Sequence, residues 1–261
     1  MPEFTAKGVT IAYDDLAPQG PAERTIVLVH GFASNRHEGW RRTGWYQAFE
    51  RRRVRCIALD QRGHGQSSKF YEPEAYLRSN LADDLIGLLD HLDLRRVDLF
   101  GYSMGTRTSL AAAIKAPERI SNLILGGVGA GLLEERTTPL GATMADAMLA
   151  DDPQTISHPM MKSFRQFADE QGEDRKALAA FTQTDNPPLD KVAMGALPMP
   201  VLVVAGDRDT GGSPEGLAAH FPVGHGVTIV GCDHFSAIPH GLTKAAVFDF
   251  LDGILDDPYA R

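Results

Sequence analysis

Runs of consecutive apolar residues, rather than alternating apolar and polar ones, are the main pattern of this chain. Six short runs rich in valine, isoleucine and leucine occur, at 26–29, 54–59, 97–100, 123–125, 201–204 and 227–230. A continuous apolar run is typical of a strand that is covered on both faces, as in a parallel sheet. The pattern therefore predicts a mostly parallel sheet flanked by helices.

Apolar residues at helical spacing fill the intervals between these runs. Leucines between Leu77 and Leu92 recur with a period of about 3.6 residues, and Leu242–Ile254 shows the same period. Thr106–Lys115, which contains no glycine or proline, predicts another helix. Near the N-terminus, Phe4–Tyr13 predicts an antiparallel hairpin that turns at Lys7-Gly8.

The alternation of strand and helix stops at residue 131 and resumes at residue 200. The interval has no strand pattern, but 141–149 and 159–168 are helical, and prolines interrupt the rest. A structureless loop of this length is uncommon in a compact domain. The sequence therefore predicts an α/β core, residues 1–131 and 200–261, with a small helical cap, residues 132–199, inserted before the last two strands.

Composition and charge exclude several classes of partner. The 261 residues, 43% of them hydrophobic, can bury a large core, and a net charge of −8 disfavours nucleic acid or an anionic membrane. The short basic cluster Arg51–Arg53 is typical of a solvated helix end. No stretch resembles a signal peptide or the roughly 18 apolar residues of a membrane span, so we expect a soluble, cytoplasmic protein. The oligomeric state leaves no clear mark in the sequence.

No cofactor or metal is indicated by the sequence. Cys56 and Cys232 lie in or beside predicted strands, where a reduced, small apolar side chain is the usual explanation. No Cys/His cluster has metal-ligand spacing. Gly126–Gly131 is rich in glycine but lacks the Gly-x-Gly-x-x-Gly spacing of a dinucleotide loop. We interpret it as a place where backbones pack closely.

The segment Gly101–Gly105, Gly-Tyr-Ser-Met-Gly, lies between a predicted strand and a predicted helix. A serine at such a position sits on a tight, strained turn that lifts its hydroxyl clear of the sheet. The flanking glycines let the backbone pass close to its neighbours. Ser103 is therefore a candidate nucleophile.

A serine hydroxyl needs an imidazole to accept its proton and a carboxylate to orient that imidazole. The loops that follow the last two apolar runs supply Asp207, Asp209 and His234, at strand ends that should converge with Ser103. Upstream, a strand runs into Gly31-Phe32. The N–H groups of Phe32 and Met104 could hold the oxyanion of a tetrahedral intermediate.

The remaining histidines are less well placed than His234. We interpret His30, His64 and His220 as structural, while His225 and His240 do not lie at the required strand ends. Asp233 is interpreted as a turn residue.

Together these motifs resemble the α/β-hydrolase superfamily over nearly the whole chain. The matching segments are His30–Phe32, Asp60–Ser67, Gly101–Gly105, Gly206–Asp209 and Gly231–His234. Within the superfamily the chain is similar to short-capped bacterial carboxylesterases and to the cofactor-free haloperoxidase or perhydrolase-like group. The resemblance implies the α/β-hydrolase fold and a structural role for Asp60–Ser67. It also implies that Asp209, three residues after Gly206, is the acid, which leaves Asp207 to brace the turn.

The sequence thus predicts a serine hydrolase, a carboxylesterase whose substrate is a small-molecule ester of small to medium size. Ser103 attacks, His234 transfers the proton and Asp209 orients His234. Acyl transfer or perhydrolysis through the same acyl-enzyme, and a non-catalytic ligand-binding role, stay open as alternatives. Pocket lining and plain core packing also stay open for a set of large side chains: Trp40, Trp45, Met144, Met148, Met160, Met161 and Phe164.

Overall fold

The computed structural model describes residues 2–134 and 140–256, which contain an eight-stranded sheet. The strands are β1 Glu3–Ala6, β2 Val9–Leu16, β3 Arg24–Val29, β4 Val54–Leu59, β5 Val97–Tyr102, β6 Ile120–Gly126, β7 Val201–Gly206 and β8 Gly224–Ile229. Their order across the sheet is β1-β2-β4-β3-β5-β6-β7-β8. β2 is antiparallel to β1 and β4, whereas all other neighbours are parallel. The six apolar runs correspond to β3 through β8, and the predicted hairpin is β1–β2.

Helices connect the strands. They are α1 Trp45–Arg51, α2 Arg78–His91, α3 Met104–Lys115, α4 Leu140–Leu149, α5 Pro159–Gln171, α6 Arg175–Thr182, α7 Lys191–Gly195, α8 Pro214–Ala218 and α9 Gly241–Leu251. The sequence pattern indicated only the end of α1, at Arg51–Arg53, and did not delimit α6, α7 or α8, because helices of about two turns or fewer show little periodicity. None of the helices in the described part of the chain combines the length and apolar character that a membrane span requires.

The apolar runs form two cores, because successive residues of a strand point to opposite faces of the sheet. Val27 and Val29 join the apolar residues of α2, α3 and α8 on one face. Ile26 and Leu28 join those of α1 and α9 on the other. Trp40 and Trp45 are fully buried in this second cluster, so core packing explains both side chains.

Helices α4 to α6, here called the inserted helices, lie between β6 and β7 and have an apolar cluster of their own. Met144, Met148 and Met161 belong to it, and Ala33 from the loop after β3 packs among them. The two ends of the predicted cap, near Leu132 and at 194–199, pack into the first core cluster instead. The division into core and cap stays a prediction, and residues 1, 135–139 and 257–261 of the two predicted segments lie outside the described residues.

Glu173, in the turn between α5 and α6, ties the inserted helices to the loops above the sheet. Its carboxylate accepts hydrogen bonds from Asn35 Nδ2 at 3.0 Å and from the N–H of Gly65 at 2.8 Å. Burial raises the pKa of the Glu173 carboxyl, and the charge of Asp60 adds to the effect, while the hydrogen bonds and the charge of Lys69 oppose it.

We expect the substitution Glu173→Gln to change the pH dependence of stability. Because the pKa of Glu173 is raised by folding, the folded protein binds this proton more tightly than the unfolded chain. Its contribution to the free energy of unfolding is therefore greatest in acid and is lost as the pH rises. The free energy of unfolding of the wild type minus that of Glu173→Gln, measured with urea, should fall between about pH 4 and about pH 7. A difference that grows over this range would contradict the effect of burial.

Candidate active site

Ser103 lies at a sharp turn between β5 and α3. Its backbone angles, φ 55° and ψ −115°, are rarely adopted by an L-residue. The Ser103 N–H donates to the carbonyl of Gly126 at 2.8 Å, and Thr106 Oγ1 donates to the same carbonyl at 3.2 Å. The strained turn is thus held against β6, and the helix begins directly after the serine.

The two glycines of this turn are required by close backbone contacts. A Cβ at Gly105 would overlap the carbonyl of Val29 in β3, and a Cβ at Gly101 would overlap the backbone of Gly105. The first turn of α3 therefore packs directly onto the backbone of two strands. This packing positions Ser103 at the carboxyl edge of the sheet.

The loop after β3 lies against Ser103 on one side. A Cβ built on Gly31 would be 3.3 Å from Ser103 Cβ and 3.8 Å from Ser103 Oγ. Phe32 follows Gly31, and Met104 is the first residue of α3. The two N–H groups expected to bind an oxyanion therefore belong to segments that adjoin the serine, and their role stays a prediction.

Three side chains form a line of hydrogen bonds across the carboxyl edge of the sheet. His234 Nε2 lies 2.9 Å from Ser103 Oγ, and His234 Nδ1 lies 2.8 Å from Asp209 Oδ2. The Asp209 side chain is 4% exposed, whereas that of His234 is 26% exposed. In this geometry Asp209 can fix the Nδ1–H tautomer of His234, and Nε2 can accept the proton of Ser103.

The neighbouring carboxylates support turns rather than the imidazole. Asp207 Oδ1 accepts the N–H of Gly231 at 2.7 Å. Asp233 Oδ1 accepts the N–H groups of Phe235 and Ser236 at 3.0 Å and 2.8 Å. The structure therefore brings Asp209, and not Asp207, to His234.

His30 and His64 are fully buried near the site and bind backbone groups. His30 Nε2 accepts the N–H of Gln61 at 3.0 Å, and its Nδ1 donates to the carbonyl of Gly31 at 2.8 Å. Burial lowers the pKa of His30 and lowers that of His64 well below the ordinary value. Both imidazoles are therefore neutral, and His30 links the loop after β3 to the loop after β4.

The Asp60–Ser67 segment is held both by hydrogen bonds of its own and by partners on other elements. Asp60 forms an ion pair with Arg36, and Arg62 binds Asp84 through hydrogen bonds of 2.6 Å and 2.7 Å. Within the segment, the Gln66 N–H donates to Asp60 Oδ2 at 2.9 Å, and Ser67 Oγ donates to the Asp60 carbonyl at 2.6 Å. The segment is structural, but its charged groups are neutralised by residues from the loop after β3 and from α2.

Three phenylalanine rings form an arc beside the serine and the histidine. Ring centroids are 5.7 Å apart for Phe32 and Phe164, 5.7 Å for Phe164 and Phe235, and 5.5 Å for Phe235 and His234. The middle ring, Phe164, belongs to α5, so an inserted helix contacts the loops that carry Phe32 and His234. Phe235 was missed in the sequence, although its position directly after His234 was a usable signal.

A mostly parallel sheet with a serine at the turn after β5, an aspartate after β7 and a histidine after β8 defines the α/β-hydrolase class of protein. A family model described as "alpha/beta hydrolase fold" matches residues 24–135. Residues 24–135 therefore match the α/β-hydrolase family, and the sheet and helices of the described residues have the α/β-hydrolase fold.

Comparison with individual proteins gives relatives of several kinds. The chain is 37% identical over 130 residues to the uncharacterized hydrolase YugF of Bacillus subtilis. This match covers 47% of this chain and 42% of that protein. It is 27% identical over 231 residues to 3-oxoadipate enol-lactonase 2 of Acinetobacter baylyi, covering 80% of this chain and 82% of that protein. The crystal structure of the enol-lactonase from Burkholderia xenovorans LB400 has a TM-score of 0.78 at 22% identity, over 96% of this chain and 100% of that one.

Several curated relatives are matched over only part of their length. For three of the curated relatives, the matched region spans between 42% and 53% of the relative, or about half of its length. The structural match is below 25% identity and shows the fold alone.

Proposed function

We propose that the chain is a serine hydrolase that cleaves small to medium carboxylic esters. The observation that carries this proposal is the hydrogen-bonded line from Ser103 through His234 to Asp209. Ser103 attacks the ester carbonyl while His234 takes its proton and then delivers that proton to the leaving alcohol. Water, activated by the same imidazole, then releases the acid from the acyl-enzyme.

Charge that develops on the carbonyl oxygen needs donors that are already in position. The N–H groups of Phe32 and Met104 are the candidates, since Gly31 packs against Ser103 and Met104 begins α3. A helix N-terminus also favours negative charge. Asp209, shielded from water, stabilises the imidazolium that forms during both steps.

Two observations support an ester as the bond that is cleaved. The arc of Phe32, Phe164 and Phe235 gives the site an apolar aromatic wall, which favours uncharged substrate groups. The enol-lactonase of Acinetobacter baylyi acts, by its name, on a lactone, which is a cyclic ester. Cyclic and acyclic esters therefore belong in the same substrate panel.

The test combines active-site labelling with a panel of esters. We expect a fluorophosphonate to label Ser103, and we expect p-nitrophenyl esters of short acyl chains, or simple lactones, to be hydrolysed by the wild type. A chain that is neither labelled nor active would be a non-catalytic binding protein. Products formed with added alcohol or hydrogen peroxide distinguish hydrolysis from acyl transfer and perhydrolysis.

Phe164→Ala is expected to shift the preference towards longer acyl chains. Removing the middle ring of the arc opens space between Phe32 and Phe235 while leaving the serine and histidine untouched. The ratio of kcat/KM for a long-chain ester to that for acetate should rise about tenfold.

Phe167→Ala is the matched control for this prediction. Phe167 lies on the same helix and packs on the same apolar cluster as Phe164. Its removal should leave the ratio of kcat/KM values within about twofold of wild type. An equal change in both variants would mean that the ratio reports loosening of the inserted helices rather than the size of the site.

A further inference from the structure

The Tyr102 side chain connects the turn that carries Ser103 with the loop that carries His234. The Tyr102 hydroxyl donates to the backbone carbonyl of His234 at 2.7 Å, and the two rings are 5.7 Å apart. Tyr102 is 5% exposed, so this hydrogen bond is shielded from water. A hydrogen bond thus joins Tyr102, the residue before the candidate nucleophile, to the backbone of His234, the candidate base.

The ring of Tyr102 is itself held in place by two glycines. A Cβ on Gly126 would be 2.6 Å from Tyr102 Cδ2, and a Cβ on Gly127 would be 2.8 Å from Tyr102 Cε1. Gly127 also has a φ of +66°, which favours glycine. The ring therefore lies in a slot formed at the end of β6, and its hydroxyl has little freedom to turn away.

The surroundings of the Tyr102 hydroxyl keep it protonated, so that it can donate a hydrogen bond. Burial raises the pKa of Tyr102, and the charges of Asp209 and Asp233 raise it further. The phenol therefore stays protonated at neutral pH and donates to the His234 carbonyl. The hydrogen bond acts on the backbone of His234, whereas Asp209 acts on its ring.

We propose that Tyr102 is a positioning residue for the reaction. Its ring is held against Gly126 and Gly127, and its hydroxyl holds the His234 loop so that His234 Nε2 stays within reach of Ser103 Oγ. The proposal rests on the hydrolase function proposed above. Tyr102 does not act on the substrate, because its hydroxyl is engaged with the His234 carbonyl and its ring lies in the glycine slot. Its effect should therefore appear in kcat and not in KM.

The substitution Tyr102→Phe tests this proposal, since it removes the hydroxyl and keeps the ring that fills the slot. The His234 carbonyl loses its donor, and the loop can move by a fraction of an ångström. We expect kcat for p-nitrophenyl acetate and the rate of fluorophosphonate inactivation to fall about tenfold, with KM within about twofold of wild type. The NMR resonances of the His234 imidazole should shift or broaden in the same variant.

Tyr76→Phe is the matched control, because the Tyr76 hydroxyl also donates to a backbone carbonyl, that of Phe70, at 2.7 Å. We expect this variant to keep wild-type kcat and an unchanged His234 spectrum. Wild-type kcat in a folded Tyr102→Phe protein, or an equal loss in Tyr76→Phe, would overturn the positioning role. A wild type that is not labelled would instead reject the hydrolase function, and the His234 spectrum would still decide whether Tyr102 positions the loop.

Discussion

Ser103→Ala is expected to reduce ester hydrolysis by at least about 10⁴-fold. The variant removes the oxygen that would form the acyl-enzyme, and no other hydroxyl is held against His234 Nε2 among the hydrogen bonds of the described residues. Since alanine fits wherever serine does, the melting temperature should change little. Steady-state rates on p-nitrophenyl acetate and labelling by a fluorophosphonate measure the loss.

Ser109→Ala provides the control for the loss of a serine in the same helix. Ser109 is buried in α3, and its hydroxyl has no hydrogen-bond partner in the part of the chain that the structure describes. We expect the Ser109→Ala variant to hydrolyse esters at a rate within about twofold of wild type. If Ser103→Ala kept more than about a tenth of the activity, the nucleophile would have to be another group and the proposed mechanism would be wrong.

Asp209→Asn is expected to reduce kcat by about 10⁴-fold while leaving the fold intact. An amide can present its N–H group to His234 Nδ1, which favours the tautomer that carries its proton on Nε2. That tautomer cannot accept the proton of Ser103. The amide also lacks the charge that stabilises the imidazolium. Measurement of kcat and of the melting temperature separates this effect from loss of structure.

Asp207→Asn is the counterpart of this experiment, because Asp207 lies two residues away and binds a backbone N–H instead of the imidazole. Its Oδ1 acceptor for Gly231 survives in asparagine, so activity should stay within about tenfold of wild type. If Asp207→Asn proved the more damaging of the two, the acid would be assigned to Asp207.

The convergence of Ser103, His234 and the loop with Asp207 and Asp209 could be predicted because each follows an apolar run, whereas the resemblance implied the choice of Asp209. Such runs become parallel strands, and the carboxyl ends of parallel strands meet at one edge of a sheet. Residues far apart in the chain can therefore be expected to converge without any knowledge of loop conformation. The same pattern predicted the strand before Ser103 and the helix after it.

The contacts that refine the site could not be predicted in this way. Tyr102 and the His234 carbonyl are 132 residues apart, and Glu173 and Gly65 are 108 apart. Each contact depends on how a loop folds and how far one side chain reaches, and neither property leaves a periodic signal. The sequence analysis therefore predicted neither the Tyr102 contact nor the Glu173 contact.

The inserted helices leave the sheet after β6 and return at β7, and these strands are direct neighbours in which Gly126 pairs with Val204. Because β6 and β7 are parallel, the chain leaves the sheet at its carboxyl edge, after Gly126, and re-enters at the opposite edge, at Val201. A different lid grafted between these two points must therefore also cross the sheet from edge to edge, and it would leave unaltered the strands that carry Ser103, Asp209 and His234. The chain thus offers a scaffold on which substrate choice can be exchanged as a module while the reaction chemistry stays in place.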